Sequence, residues 1–354
     1  MSALYLHGRS LISALGSDLQ QAAMTLAQGG VKPRPTPLPG GTQWPYFAID
    51  TPHAPWLQRA QALLCAAIAQ AGLEQQRDLP LFIASSSLQM GAIEVGELSL
   101  GEDYHCFAEE VASWLDWRGP IYLISTACTS SLHALLAAAA LLRSGAAADA
   151  VVLAVELVNR YTLAGFAAMQ LLSPDTPRPL GATRNGLVLG EAVSALHLST
   201  APSRWRLRGG ASLVDGRDPT GARAESVAQL CRAALADSGL SAEQIDLVKV
   251  QAAGSPANDL NEVVGLQETF GRVPPLLSLK GMIGHTLGAS GTAELALLLE
   301  CLEQGHWPAV DYPLDPAAGA TLAMTRPARV EHLLALILGF GGGYAAVALE
   351  DSHG

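Results

Sequence analysis

From Leu333 to Leu349 the chain carries no charged residue, yet the run holds Gly339, Gly341, Gly342 and Gly343. A segment this apolar must leave water, into a bilayer or into a protein core. It is shorter than the ~20 residues that a membrane-spanning helix needs. It reads instead as two buried β-strands joined by a tight turn. A distant segment looks alike: Asn185–Glu191 runs on through Ala192–Leu198, again with a glycine-containing turn between apolar strands. The likeness predicts a duplicated fold, each copy ending in a hairpin. Ser199–Ser203 would then join residues 1–199 to residues 200–354.

Short apolar runs at Pro120–Ser125, Ala150–Val155, Leu247–Gln251 and Pro275–Ser278 read as further buried strands. Helical patterns alternate with them, at Trp56–Gly72, Ser130–Ser144, Ala224–Ser238 and Gly291–Gln304. That alternation implies an α/β protein with a mostly parallel sheet covered on both faces. With 49% hydrophobic and 15% charged residues, the chain is not of the disordered class. Lys and Arg number 21 against 32 Asp and Glu, a formal charge of -11 that disfavours a nucleic-acid-binding role. The opening Met1–Arg9 lacks a basic segment followed by an apolar one. The cysteines at positions 65, 106, 128, 231 and 301 match neither a disulfide framework nor a zinc spacing. The expectation is a soluble cytoplasmic protein with no membrane span, no metal and no cofactor.

Two stretches carry chemistry. Ser125–Ser131 leaves an apolar strand and opens a helix, which places Cys128 at a helix N-terminus. There, unpaired N–H groups and the helix dipole favour thiolate. A strand-to-helix turn also exposes the sulfur, as in nucleophile elbows. The alternative is a buried inert cysteine. The second stretch, Ser278–Gly291, sets Lys280 and His285 among small residues and is followed by Glu294. His285 could donate a hydrogen bond to a thioester carbonyl or handle a proton. A glycine-rich loop before a helix is otherwise a packing or anion-binding turn, and Lys280 with Glu294 an ordinary surface pair.

Together these segments resemble the β-ketoacyl-acyl-carrier-protein synthase family. The family patterns occur in order at Thr126–Ser131, at Pro179 with Arg184, Gly186, Gly190 and Glu191, across Ser278–Gly291, and at Gly339–Gly342. The resemblance covers nearly the whole chain. It implies a thiolase-like duplicated fold, layered α-β-α-β-α. It also implies decarboxylative condensation of thioesters carried on the phosphopantetheine arm of an acyl carrier protein. Cys128 matches the acyl acceptor, and the N–H groups of Cys128 and Phe340 match the oxyanion hole. His285 matches the histidine that hydrogen-bonds the malonyl thioester. Lys280 and Glu294 match a supporting pair, and Phe340 a gating position. His133 is read as structural.

One departure stands out. The family carries a second histidine in a His-Gly-Thr loop, where this chain has Ala253-Gly254-Ser255 in a loop about two residues shorter. An alanine methyl donates no hydrogen bond to an enolate, and losing one such donor typically costs about 10²–10³ in rate. Tyr344 departs as well, where the family commonly has asparagine. Two expectations follow. One is a partner subunit resembling the chain-length factors of type II polyketide systems, paired with a complete ketosynthase in a heterodimer and similar to the compact partners of aryl polyene pathways. The other is an independent one-histidine ketosynthase, as a homodimer. Arg204, Arg206 and Arg208 would share a strand face, either to meet an acidic carrier protein or as a solvated row, the second being favoured.

Overall fold

The computed structural model describes residues 3–101 and 105–353; the first two residues of the N-terminal stretch read above lie outside them. The strands are β1 (Leu4–Ser13), β2 (Arg34–Pro37), β3 (Gln43–Phe47), β4 (Leu81–Ala84), β5 (Ile121–Ile124), β6 (Asp149–Glu156), β7 (Leu189–Gly190), β8 (Ala192–Ser199), β9 (Trp205–Val214), β10 (Leu247–Lys249), β11 (Leu276–Leu277), β12 (His332–Leu338) and β13 (Gly343–Asp351). The α-helices are α1 (Leu19–Ala27), α2 (Trp56–Gln70), α3 (Met90–Glu94), α4 (His105–Trp114), α5 (Ser130–Arg143), α6 (Arg160–Ala168), α7 (Ala224–Ser238), α8 (Pro256–Phe270), α9 (Lys280–Ile283) and α10 (Ser290–Gln304).

Among the described residues the large sheet runs β11-β10-β12-β13-β9-β1-β8-β6-β4-β5. Its two halves repeat each other. In both, the first strand lies antiparallel to the fifth and the fifth antiparallel to the fourth. The fourth, second and third then run parallel. The halves meet edge to edge where Leu4, Tyr5 and Leu6 pair with Leu207, Arg206 and Trp205.

Helices α5 and α10 touch strands of both halves and each other, forming the middle layer. Outside them, α2 and α4 cover one half while α7 and α8 cover the other. Strand alternation feeds these layers. Leu333, Ala335 and Ile337 face the middle core, whereas Leu334, Leu336 and Leu338 face the α7 side. That double burial is the physical reason the Leu333–Leu349 run carries no charge. Ala150, Val152 and Ala154 likewise face the middle, and Val151, Leu153 and Val155 face α2.

The first glycine-containing hairpin does not form. β7 pairs with β3 in a small separate sheet, while β8 lies between β1 and β6 in the large one. Glu191 forces the break. Its buried carboxylate accepts from the N–H groups of Ile49 and Val158 at 2.7 Å and pairs with Arg59 at 2.6 Å. The chain is therefore pinned where a turn would lie. The counterpart of the β12–β13 hairpin is β6 with β8, joined through the long segment 157–191.

The arginine row pairs within the protein, three cations against two carboxylates. Arg204 pairs with Asp351 at 2.7 Å, and Arg206 and Arg208 pair with Glu350 at 3.3 and 3.1 Å, on the adjacent strand β13. No helix of the described residues is long and apolar enough to cross a membrane.

Candidate active site

Strand β5 delivers the chain into a tight turn before α5. Ala127 sits at φ 52°, a left-handed conformation that a residue with a Cβ rarely adopts. Hydrogen bonds hold the turn there. The Ser130 hydroxyl accepts from the Thr126 N–H at 2.9 Å and donates to the Ala127 carbonyl at 2.6 Å. Thr129 Oγ1 donates to the Thr126 carbonyl at 2.6 Å. Cys128 is thereby set immediately before the helix, facing inward and 4% exposed.

His285 Nε2 lies 3.1 Å from Cys128 Sγ, and its Nδ1 lies 3.1 Å from the Ser290 hydroxyl at the start of α10. The His285 N–H donates to the Val188 carbonyl at 2.7 Å, which ties the loop to the segment before β7. Burial, then Lys280 and Lys249, push the imidazole well below its ordinary value, so it is neutral at physiological pH. The helix N-terminus does not make Cys128 a thiolate. Burial pushes the thiol up to about 11, outweighing the Phe340 N–H, Lys280 and its own N–H, which pull the other way. Both members of the pair rest uncharged.

The N–H groups of Phe340 and of Cys128 itself favour negative charge on the sulfur, against the effect of burial. Phe340 is presented by a glycine turn that tolerates no side chain at Gly342. There φ is 73° and an added Cβ would sit 1.8 Å from the Asp215 carbonyl oxygen. The Phe340 ring stacks on Phe166 of α6, centroids 5.1 Å apart.

Lys280 and Glu294 are fully buried partners rather than a surface pair. A third group joins them. Lys249 on β10 reaches the other oxygen of Glu294 at 2.6 Å, so one carboxylate serves two ammonium groups. Burial brings Lys249 down to about 8, against the pull of Glu294.

Ala253 lines the same cavity as Cys128, His285 and Phe340. Beyond it the loop winds directly into α8, with Pro256 in the first turn. Two buried acids clamp this stretch. Glu262 accepts from the N–H groups of Gln251 and Ala252 at 2.6 and 2.7 Å; Asp259 accepts from those of Ala253 and Gly254 at 3.1 Å. Burial raises Asp259 to about 6 and Glu262 to about 7. Tyr344 closes the cavity's far wall, donating to the Gly221 carbonyl at 3.2 Å. His133 is bonded to Thr126 Oγ1 at 2.8 Å and lies outside this cavity's wall.

Sequence reasoning missed Lys249, Gln251, Asp259 and Glu262. The available signal was strand alternation, which places residues 249, 251 and 253 on one face. Among the described residues no group of three or more His, Cys, Asp or Glu side chains is placed to hold a metal ion.

A cysteine on a strained strand-to-helix turn, faced by a histidine in a five-layered duplicated fold, defines a protein of the thiolase-like fold. Comparison with known proteins agrees. Residues 61–203 match the beta-ketoacyl synthase N-terminal domain and residues 206–311 the C-terminal domain. The chain belongs to the β-ketoacyl synthase family. It is 30% identical over 273 residues to a putative polyketide beta-ketoacyl synthase 1 of Streptomyces virginiae, covering 70% of this chain and 64% of that protein. To nodulation protein E of Rhizobium meliloti it is 27% identical over 264 residues, covering 68% of this chain and 64% of that one. The chain thus spans a little under two thirds of the length of these curated relatives. In fold it is similar to a ketosynthase in complex with its chain length factor from Xenorhabdus doucetiae, with a TM-score of 0.84, 24% identity and coverage of 99% and 98%. It is also similar to the ishigamide ketosynthase/chain length factor, with a TM-score of 0.85, 22% identity and coverage of 99% of both chains.

Proposed function

We propose that this chain is the chain-length-factor-like subunit of a heterodimeric β-ketoacyl synthase, keeping an acyl-accepting Cys128 but leaving most condensation to a complete partner. The observation that carries this reading is Ala253. It lies on the wall of the Cys128 cavity, and the motif resemblance sets it where the family has a histidine, so that its methyl would stabilise no enolate. The loop runs from Ser255 directly into α8 and lacks the family's threonines, which weakens its hold on a pantetheine arm. Strand β5 supports a partner. Among the described residues it pairs only with β4 and ends the large sheet. Its side chains are apolar but incompletely covered, with Tyr122 39% exposed. An uncovered apolar edge strand is a site for pairing with a second chain.

In this role, Cys128 takes an acyl group from an acyl carrier protein. The N–H groups of Cys128 and Phe340 hold the oxyanion of the tetrahedral intermediate, and His285, neutral, hydrogen-bonds the thioester carbonyl. Lys280 and Glu294 position the His285 loop from behind. The product belongs to polyketide or fatty-acid-type chain elongation, aryl polyenes among them by sequence resemblance. A second reading, an independent one-histidine ketosynthase, is favoured by the 3.1 Å contact between Cys128 and His285. The test compares turnover of malonyl-carrier substrates by the chain alone, by the chain with a ketosynthase bearing an intact His-Gly-Thr loop, and by that pair carrying Cys128→Ala. Weak turnover alone and robust turnover by the pair are expected. Robust turnover by the chain alone, abolished by Cys128→Ala, establishes the second reading.

A further inference from the structure

Lys249, Gln251 and Ala253 form a row on the face of β10 and its extension that looks toward the middle layer. Val248, Val250 and Ala252 on the opposite face pack into the core beneath α7 and α8. Each position in the row has a different fate. Lys249 is committed to Glu294 at 2.6 Å. Ala253 offers only a methyl group. Gln251 lines the cavity that contains Cys128 and His285, and its side-chain oxygen is buried with no hydrogen-bond partner.

An unsatisfied buried amide oxygen is costly, of order 1–3 kcal/mol, and a catalytic role is one of the few reasons for keeping one. The backbone around Gln251 is not the loose part. Its own N–H is held by Glu262 at 2.6 Å, and the next three N–H groups are held by Glu262 and Asp259. The clamp fixes where the side chain originates. The terminal torsion of a glutamine is broad, so an amide that nothing holds at its oxygen can turn either end toward the cavity. A carboxamide carries two N–H donors, which is what an alanine at position 253 removes from this wall.

We infer that the Gln251 carboxamide is a catalytic group of this cavity, donating to the malonyl thioester oxygen from the wall where the histidine is missing. The inference rests on the reading that Cys128 is acylated and meets a malonyl thioester. On decarboxylation, the bond between the malonyl methylene and its carboxylate breaks and CO2 leaves. The electron pair passes to the thioester oxygen as an enolate, to which Gln251 Nε2–H donates. The enolate carbon then bonds to the acyl carbonyl carbon on Cys128. The C–S bond breaks, and the released thiolate takes a proton from water. Gln251 moves no proton. It supplies one hydrogen bond as charge develops on the thioester oxygen.

The experiment follows CO2 release from malonyl-pantetheine by the full-length chain, with Cys128 acylation by an acyl-pantetheine thioester measured in parallel by intact mass. Gln251→Met keeps approximate volume and removes the donor. It should lower the maximal rate of CO2 release about 100-fold while acylation stays within about twofold. Adding Ala253→His to that variant should restore much of the loss. Should Gln251→Met lose acylation as well, Gln251→Glu, which keeps the shape and lacks the N–H donors, is read by the same criterion. Wild-type CO2 release by either acylation-competent variant overturns the inference and leaves the proposed function standing. So does a wild type that is acylated but releases no CO2. A wild type that is never acylated removes the acyl-accepting role of Cys128 and the inference together.

Discussion

Cys128 Sγ and His285 Nε2 lie 3.1 Å apart with both groups held neutral, the thiol by burial and the imidazole by burial beside two lysines. A resting pair of this kind differs from a thiolate–imidazolium pair, in which each charge stabilises the other. Here a transferred proton would leave an imidazolium facing Lys280 and Lys249. In the proposed role, Cys128 would therefore be activated only as an acyl thioester enters and charge begins to develop on its oxygen.

Alkylation reports this state directly. With the thiol at about 11, the thiolate fraction grows about tenfold per pH unit between roughly pH 7 and pH 10. The rate of Cys128 modification by iodoacetamide, followed by peptide mass, should rise in proportion. A rate that levels off near neutral pH would show an activated thiolate and contradict the neutral pair.

The shared carboxylate makes an asymmetric prediction. Glu294→Gln leaves Lys249 and Lys280 buried without a counter-charge, and breaking a buried ion pair in this way typically costs about 3–5 kcal/mol. Lys249→Met leaves Lys280 and Glu294 as a matched pair and removes the excess cation. Its cost should be under about 1.5 kcal/mol. Urea unfolding of the two variants measures the difference. Equal losses would mean that Lys249 is indispensable to the cluster.

Stability should also carry the mark of Glu262, which burial raises from 4.5 to about 7. A carboxyl raised on folding binds its proton more tightly in the folded state. Its contribution is fully present below its unfolded value and is lost as pH rises through the folded one. The urea midpoint of the wild type relative to Glu262→Gln should therefore fall between about pH 4.5 and pH 7 and then level off. A difference that is flat across this window would place Glu262 outside the buried set.

Local pattern made the helices legible. The expected stretch Ser130–Ser144 became α5 at Ser130–Arg143, and Ala224–Ser238 became α7 without change. Residues of one helix face are close in sequence, so their burial leaves a short-range periodic trace. The break between β7 and β8 left no such trace. It depends on Arg59 meeting Glu191 from far along the chain. Lys249 failed to stand out for the same reason, since a lysine in a strand announces nothing until Glu294 is brought beside it. At the site, Cys128 and His285 were visible as motif residues. The loss of charge on Cys128 was not, because desolvation is set by everything packed around the group rather than by its neighbours in sequence.

The last prediction concerns strand β5. Ile121, Leu123 and Ile124 are only partly covered and Tyr122 is exposed, though all four are apolar or aromatic. The same strand leads directly into the Cys128 turn, so a chain docked on it lies beside the active cavity. Tyr122→Glu puts a charge on that edge and gives up one ring stacked at 4.7 Å on the buried Phe82. It should weaken assembly with the proposed ketosynthase partner by tenfold or more, about 1.4 kcal/mol, while leaving the proposed acylation of Cys128 in the isolated chain intact. Sedimentation velocity of the mixture and intact mass of the acylated subunit read the two effects separately. Undiminished assembly would move the interface away from β5. Loss of acylation in the isolated variant would instead mean that the edge charge reaches the turn at Ala127, and that partner binding and nucleophile geometry are linked through this strand.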